Sequence, residues 1–111
     1  MNLGSYILDT ENNPVPKDSL EAWKWKEENP GLATVGQDEV NGVMVSTAFL
    51  VIDHGWNGVP QFFETCLFKD FKAWMSPSEV VERYSTFDEA KAGHNEWIEK
   101  IKKDGYEFKE S

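Results

Sequence analysis

Asn41-Gly42 stands between two runs that suit strands, and it narrows the fold more than any other pair in the chain. A two-residue type I′ loop needs positive φ at both positions, which Asn and Gly reach at little cost, and its twist matches that of paired strands. The run that follows, Val43 to Ile52, is rich in β-branched and aromatic residues. Its alternate positions give Val43, Val45, Thr47, Phe49 and Val51 on one face, and Met44, Ser46, Ala48, Leu50 and Ile52 on the other. The chain is thereby committed to an antiparallel hairpin whose second strand is mostly apolar on both faces.

The remaining segments extend this hairpin. Gln61 to Phe68 and Glu79 to Ser85 read as two further strands, separated by the aromatic loop Lys69 to Pro77. Asp18 or Ser19 can start a helix reaching about Glu28, stopped by Asn29-Pro30-Gly31, with Leu20, Trp23 and Glu27 along one side and Trp25 on another. Thr86 and Glu89 form a capping-box pair for a last helix to about Asp104, where Gly105 supplies the left-handed cap. Phe87, Ala90, His94, Trp97, Ile98 and Ile101 make its apolar stripe. The expected fold class is α+β: an antiparallel sheet of about four strands in a meander, with one N-terminal and one C-terminal helix. Residues 1–111 make one domain, with 1–17 as a Pro-rich N-terminal arm lacking regular structure and 106–111 as a flexible tail. Since one helix covers one face of such a sheet, the other face needs the arm and the Trp23 helix, or another chain.

Fifteen aromatic residues among 111 supply a core without metals or disulfides. Twenty acidic against eleven basic residues give a net charge of −9, which disfavours direct nucleic-acid binding because phosphate contacts need clustered Lys and Arg. The same charge suits a basic partner surface. Cys66 is the single cysteine, so no internal disulfide forms and a cytoplasmic setting is expected. Met1 to Asp9 has no signal-type block, and the longest apolar run is too short to span a bilayer, so no membrane association is expected.

Several residues invite chemistry. Glu64 shares a strand face with Phe62, Cys66 and Phe68, and a carboxylate there needs a partner. Arg83, the chain's single arginine, sits on the neighbouring strand and is expected to pair with it as a structural ion pair. Glu64 is otherwise a weak candidate for a general base, as are His54, His94 and Asp53. Asp53, His54, Glu64 and His94 are the residues that would have to converge for a zinc or iron site, although their spacing matches no metal motif, and no metal or cofactor is implied. Cys66 lies in an apolar strand without the basic neighbours that activate a thiol. The loops bearing His54 and Trp56 and bearing Trp74 are the expected binding surfaces, since exposed Trp residues are frequent interface anchors.

Tyr6-Ile7-Leu8-Asp9 with Asn13-Pro14-Val15-Pro16, then Val45-Ser46-Thr47-x-Phe49-Leu50 to Asp53-His54, resembles a family of small phage and prophage proteins. The likeness continues through Pro60, Phe63-Glu64-Thr65, Phe68, Arg83-Tyr84-Ser85-Thr86 and Glu89-Ala90 to Gly93-His94. It implies a viral origin and a role inside the host cell, and it implies no reaction. The expectation is therefore an accessory protein that binds a host or phage macromolecule, such as an inhibitor of a host defence system or host enzyme. A homodimer through a sheet face is an allied possibility. The alternative is a small metal-dependent enzyme or ligand-binding protein using Asp53, His54, Glu64 and His94.

Overall fold

A computed structural model describes residues 4–53, 55, 58–69 and 78–108. Its elements in chain order are β1 (Ser5–Leu8), β2 (Pro14–Lys17), α1 (Ser19–Glu28), α2 (Pro30–Ala33), β3 (Thr34–Val40), β4 (Val43–Phe49), β5 (Phe63–Phe68), β6 (Ser78–Tyr84) and α3 (Phe87–Asp104). The Asn41-Gly42 turn takes φ of 49° and 81°, and Val40 pairs with Val43 across it. From that hairpin the sheet grows as the antiparallel meander β3-β4-β5-β6, so the fold is α+β.

Register decides what faces what. On one side lie Val45 opposite Leu67, Thr47 opposite Thr65, and Phe49 opposite Phe63. Asp38 pairs with Val45 and Gly36 with Thr47, while Glu82 pairs with Thr65 and Tyr84 with Phe63. Helix α3 lies across this side and touches all four strands. Its start is fixed by Thr86, whose Oγ1 accepts from the Glu89 amide at 3.1 Å, and its end by Gly105 at φ 68°.

Two apolar clusters form beneath α3, with a polar row between them. Phe49, Phe63, Val51, Leu8 and Ala22 belong to one, and Val45, Leu67, Val43, Val40 and Ile101 to the other. The division falls where Thr47 and Thr65 replace aliphatic residues in the strand rows.

Residues 1–17 are not an irregular arm, because 5–17 form the hairpin β1-β2. Asp9 Oδ1 accepts from the amides of Glu11 and Asn13, both at 2.9 Å, and Asn12 takes φ 64°, which closes the turn. Pro14 and Pro16 are tolerated because the ladder does not need their nitrogens. Tyr6, opposite Pro16, donates instead to the Val51 carbonyl at 2.8 Å, so this pair faces away from mutual bonding. Helix α1 stops at Glu28 with Asn29 as its C-cap, as the Asn29-Pro30-Gly31 run requires, and Pro30 then opens the short α2, its missing N–H costing nothing at a first helical position. The tail also departs from expectation over 106–108, where Tyr106 and Phe108 pack on the Ile101 cluster.

Helix α1 packs inward through Ala22 and Trp25, the latter edge-on to Phe49 at 5.9 Å. It thus extends the side of the sheet that α3 already covers, leaving Leu20 and Trp23 exposed. The opposite face carries Met44, Ala48, Glu64, Cys66, Phe68 and Val80, which belong to neither apolar cluster. No described element packs over it. Among the described residues no helix is long and apolar enough to cross a membrane.

Candidate functional site

The covered face holds a continuous chain of polar side chains. His94 Nε2 lies 2.7 Å from Asp38 Oδ2, and its Nδ1 lies 2.7 Å from Thr47 Oγ1. Thr47 and Thr65 hydroxyls are 2.6 Å apart, and Thr65 is 3.0 Å from the Tyr84 hydroxyl. Four strands and α3 meet in this row. Close approach depends on two glycines: a Cβ on Gly36 would sit 2.6 Å from His94 Nε2, and one on Gly93 would sit 2.5 Å from Tyr84 Cζ.

A carboxylate, an imidazole and a hydroxyl in line resemble a nucleophile and its base. Here the hydroxyl is fully buried, and Thr47 and Thr65 cap one another. A substrate has no access to Thr47 Oγ1, so the row acts as a clasp between strands and helix. Burial is matched throughout by partners: among the described residues no buried side-chain nitrogen or oxygen lacks one.

On the uncovered face, Arg83 Nε lies 3.3 Å from Glu64 Oε2, the two residues standing opposite one another on β5 and β6. Both side chains remain partly open to solvent, at 20% for Glu64 and 39% for Arg83, so this is a half-exposed pair and not a buried one. Cys66 Sγ donates to Glu64 Oε1 at 3.4 Å. Burial, then the Glu64 charge and hydrogen bond, push the Cys66 thiol up to about 12 against a weaker opposing pull from Arg83. At neutral pH it stays a thiol and is a poor nucleophile.

Glu64 and His94 are on opposite faces of the sheet, and the four residues of the expected metal site are not brought together through them. Asp53 serves its own loop, its Oδ1 accepting from the amides of Gly55 at 2.7 Å and Gln61 at 2.8 Å. Among the described residues no three His, Cys, Asp or Glu side chains cluster to hold a metal. His54, Trp56 and Trp74 lie outside the described residues. Two surface clefts, one of about 430 Å³ beside Asn41, Lys69, Tyr106 and Phe108 and one of about 150 Å³ between β6 and α3, contain none of the candidate catalytic residues.

Protein-family models, curated proteins and solved structures offer no match to this chain. Its site therefore has to be read from its own residues. Sequence reasoning missed Asp38 and Thr47 as partners of His94, and Thr65 and Tyr84 as the continuation of the row. The signal was present in part: a Thr at the same position in each of two otherwise apolar strand faces asks for a hydrogen-bonding partner, and His94 is the polar residue in the facing helical stripe.

Proposed function

We propose that this domain is a non-enzymatic accessory protein, of the phage type its sequence resembles, that docks the uncovered face of its sheet onto a basic surface of a host or phage protein. The observation that carries the reading is the apolar strip of Met44, Ala48 and Val80, with Val80 50% exposed and no described element packed over it. Apolar centres with a polar rim are how interfaces are commonly built. The rim is acidic: Glu39 and Glu64 share this face with Arg83, which is itself paired to Glu64. The chain as a whole carries a net charge of −9, which favours the approach of a basic partner. Inhibition of a host defence or metabolic protein inside the host cell is the role such a docking domain would fill.

The test uses the whole chain as bait and paired substitutions. Met44→Lys with Val80→Lys should abolish capture of a stoichiometric basic protein from host lysate, while Leu20→Lys on α1 leaves it intact. Retention of that partner by the doubly substituted protein would sink the proposal. So would a wild-type protein that sediments as a dimer held by this face, which would make a second copy the occupant.

A further inference from the structure

The cleft of about 150 Å³ between β6 and α3 is lined by Glu82, Glu96, Trp97 and Lys100. Glu82 comes from β6 on the side that α3 covers, opposite Thr65, and the other three come from α3. Trp97 is half-buried against the Ile101 cluster, which steadies its ring, and its Nε1 donates to Glu82 Oε1 at 2.9 Å. Tyr106 meets the same ring edge-on, with 6.3 Å between centroids. An indole face is the best aromatic partner of a cation, and a carboxylate accepting from the indole N–H pushes electron density onto that face.

The ring already carries a cation of the chain's own. Lys100 Nζ lies 4.6 Å from the Trp97 centroid. Among the described residues Lys100 has no ion-pair partner, and Glu96 has neither a hydrogen bond nor an ion pair. Burial raises the Tyr84 pKa, the Thr65 bond lowers it, and the charges of Glu82 and Glu96 both raise it, so the two carboxylates act on one place. The cleft therefore holds two carboxylates and one ammonium that satisfies the ring and neither of them.

We propose that this cleft receives one arginine side chain of a partner protein, its guanidinium stacked on Trp97 in place of Lys100 and donating to Glu82 and Glu96. A guanidinium is planar, so it lies flat on an indole while the donors at its rim reach carboxylates beside the ring. An ammonium is a point charge and makes one of these contacts at the expense of the other. Lys100 is exposed and tethered by a flexible stem, which makes it a displaceable occupant of the ring face. That the arginine belongs to a protein rests on the docking reading above. The cleft itself lies on the other side of β6 from the uncovered face and is tested apart from it.

The probe is N-acetyl-arginine methylamide, titrated into the whole protein at fixed ionic strength and read from the Trp97 indole N–H by NMR. The signal should move saturably with this probe, with lower affinity for the lysine analogue, and stay in place with the neutral citrulline analogue. Glu96→Gln should weaken binding by about two- to fivefold, the worth of one exposed ion pair. Lys100→Ala should tighten it by about two- to fivefold, the worth of one exposed cation–π contact, because it clears the ring. Lys24→Ala on α1 changes the net charge equally and should leave the affinity where it was. All three positions are exposed, so the variants keep the fold. The proposal is overturned if Lys24→Ala tightens binding as much as Lys100→Ala, if the lysine or citrulline analogue binds as well as the arginine probe, or if Trp97 responds to none of them. Partner capture that survives such a result, and is lost in the Met44→Lys, Val80→Lys protein, would leave the docking face standing without this cleft.

Discussion

Gly93→Ala sets two effects of opposite sign against each other. Gly93 lies in the middle of α3, with φ in the ordinary helical range, so propensity alone favours Ala by about 1 kcal/mol. The added Cβ would lie 2.5 Å from Tyr84 Cζ and closer still to its neighbouring ring carbon and hydroxyl, which a real contact does not tolerate. Either α3 lifts or the Tyr84 ring moves and abandons Thr65. Overpacking costs roughly 1–3 kcal/mol, and leaving a buried hydroxyl unpaired a similar amount. The net expectation is a loss of about 2–4 kcal/mol, measured as a fall of roughly 2 M in the urea midpoint for a domain of this size. Repeating the substitution in a Tyr84→Leu background removes the obstacle, and there Gly93→Ala should be neutral or mildly stabilising. A stabilised single mutant would refute the close approach of α3 to β6 on which the polar row depends.

Three further outcomes follow from the same geometry. A double-mutant cycle on Glu64→Gln and Arg83→Ala should give a coupling below about 1 kcal/mol, because the pair is half-exposed and screened. Alkaline stability should fall between about pH 9 and 12: Cys66 and Tyr106 are both raised to about 12 in the fold, so the stability their neutral forms contribute is complete below their ordinary values of 9 and 10 and is lost as each ionises. Denaturant midpoints across that range check it, and iodoacetamide should alkylate Cys66 of the folded protein far more slowly than a free thiol at pH 8. Leu20→Lys should change stability by less than about 0.5 kcal/mol, since Leu20 is 79% exposed and on the outer side of α1.

Local rules with a single structural solution were legible in the chain. Asn41-Gly42 and the Thr86–Glu89 cap each demand one backbone geometry, and each adopts it, while Gly105 ends α3 at positive φ but with ψ of −171°, outside the left-handed helical region. The β1-β2 hairpin was hidden because its prolines suggest breakage, and only the position of the partner strand shows that their nitrogens point away from the ladder. The clasp around His94 was hidden for a related reason. Asp38 is 56 positions away in sequence, and which of Asp38 and Glu39 faces α3 depends on the irregularity between Thr34 and Gly36 in β3. A one-residue shift there would turn Asp38 outward.

That dependence ties the two faces together. Thr47 and Thr65 could have been Val, merging the two apolar clusters beneath α3 into one core of greater hydrophobic stabilisation. The polar row instead makes every other register costly, since a slip of one residue in β4 or β5 would leave His94 without Thr47 or bury Glu64 beneath α3. The same slip would move Met44, Ala48 and Phe68 inward and remove the apolar patch from the uncovered side. Fixing the register from the covered face is therefore what keeps the uncovered face apolar, and a Thr47→Val, Thr65→Val protein that folds should show register heterogeneity, read as doubled amide resonances in β4 and β5, even though neither residue reaches that surface.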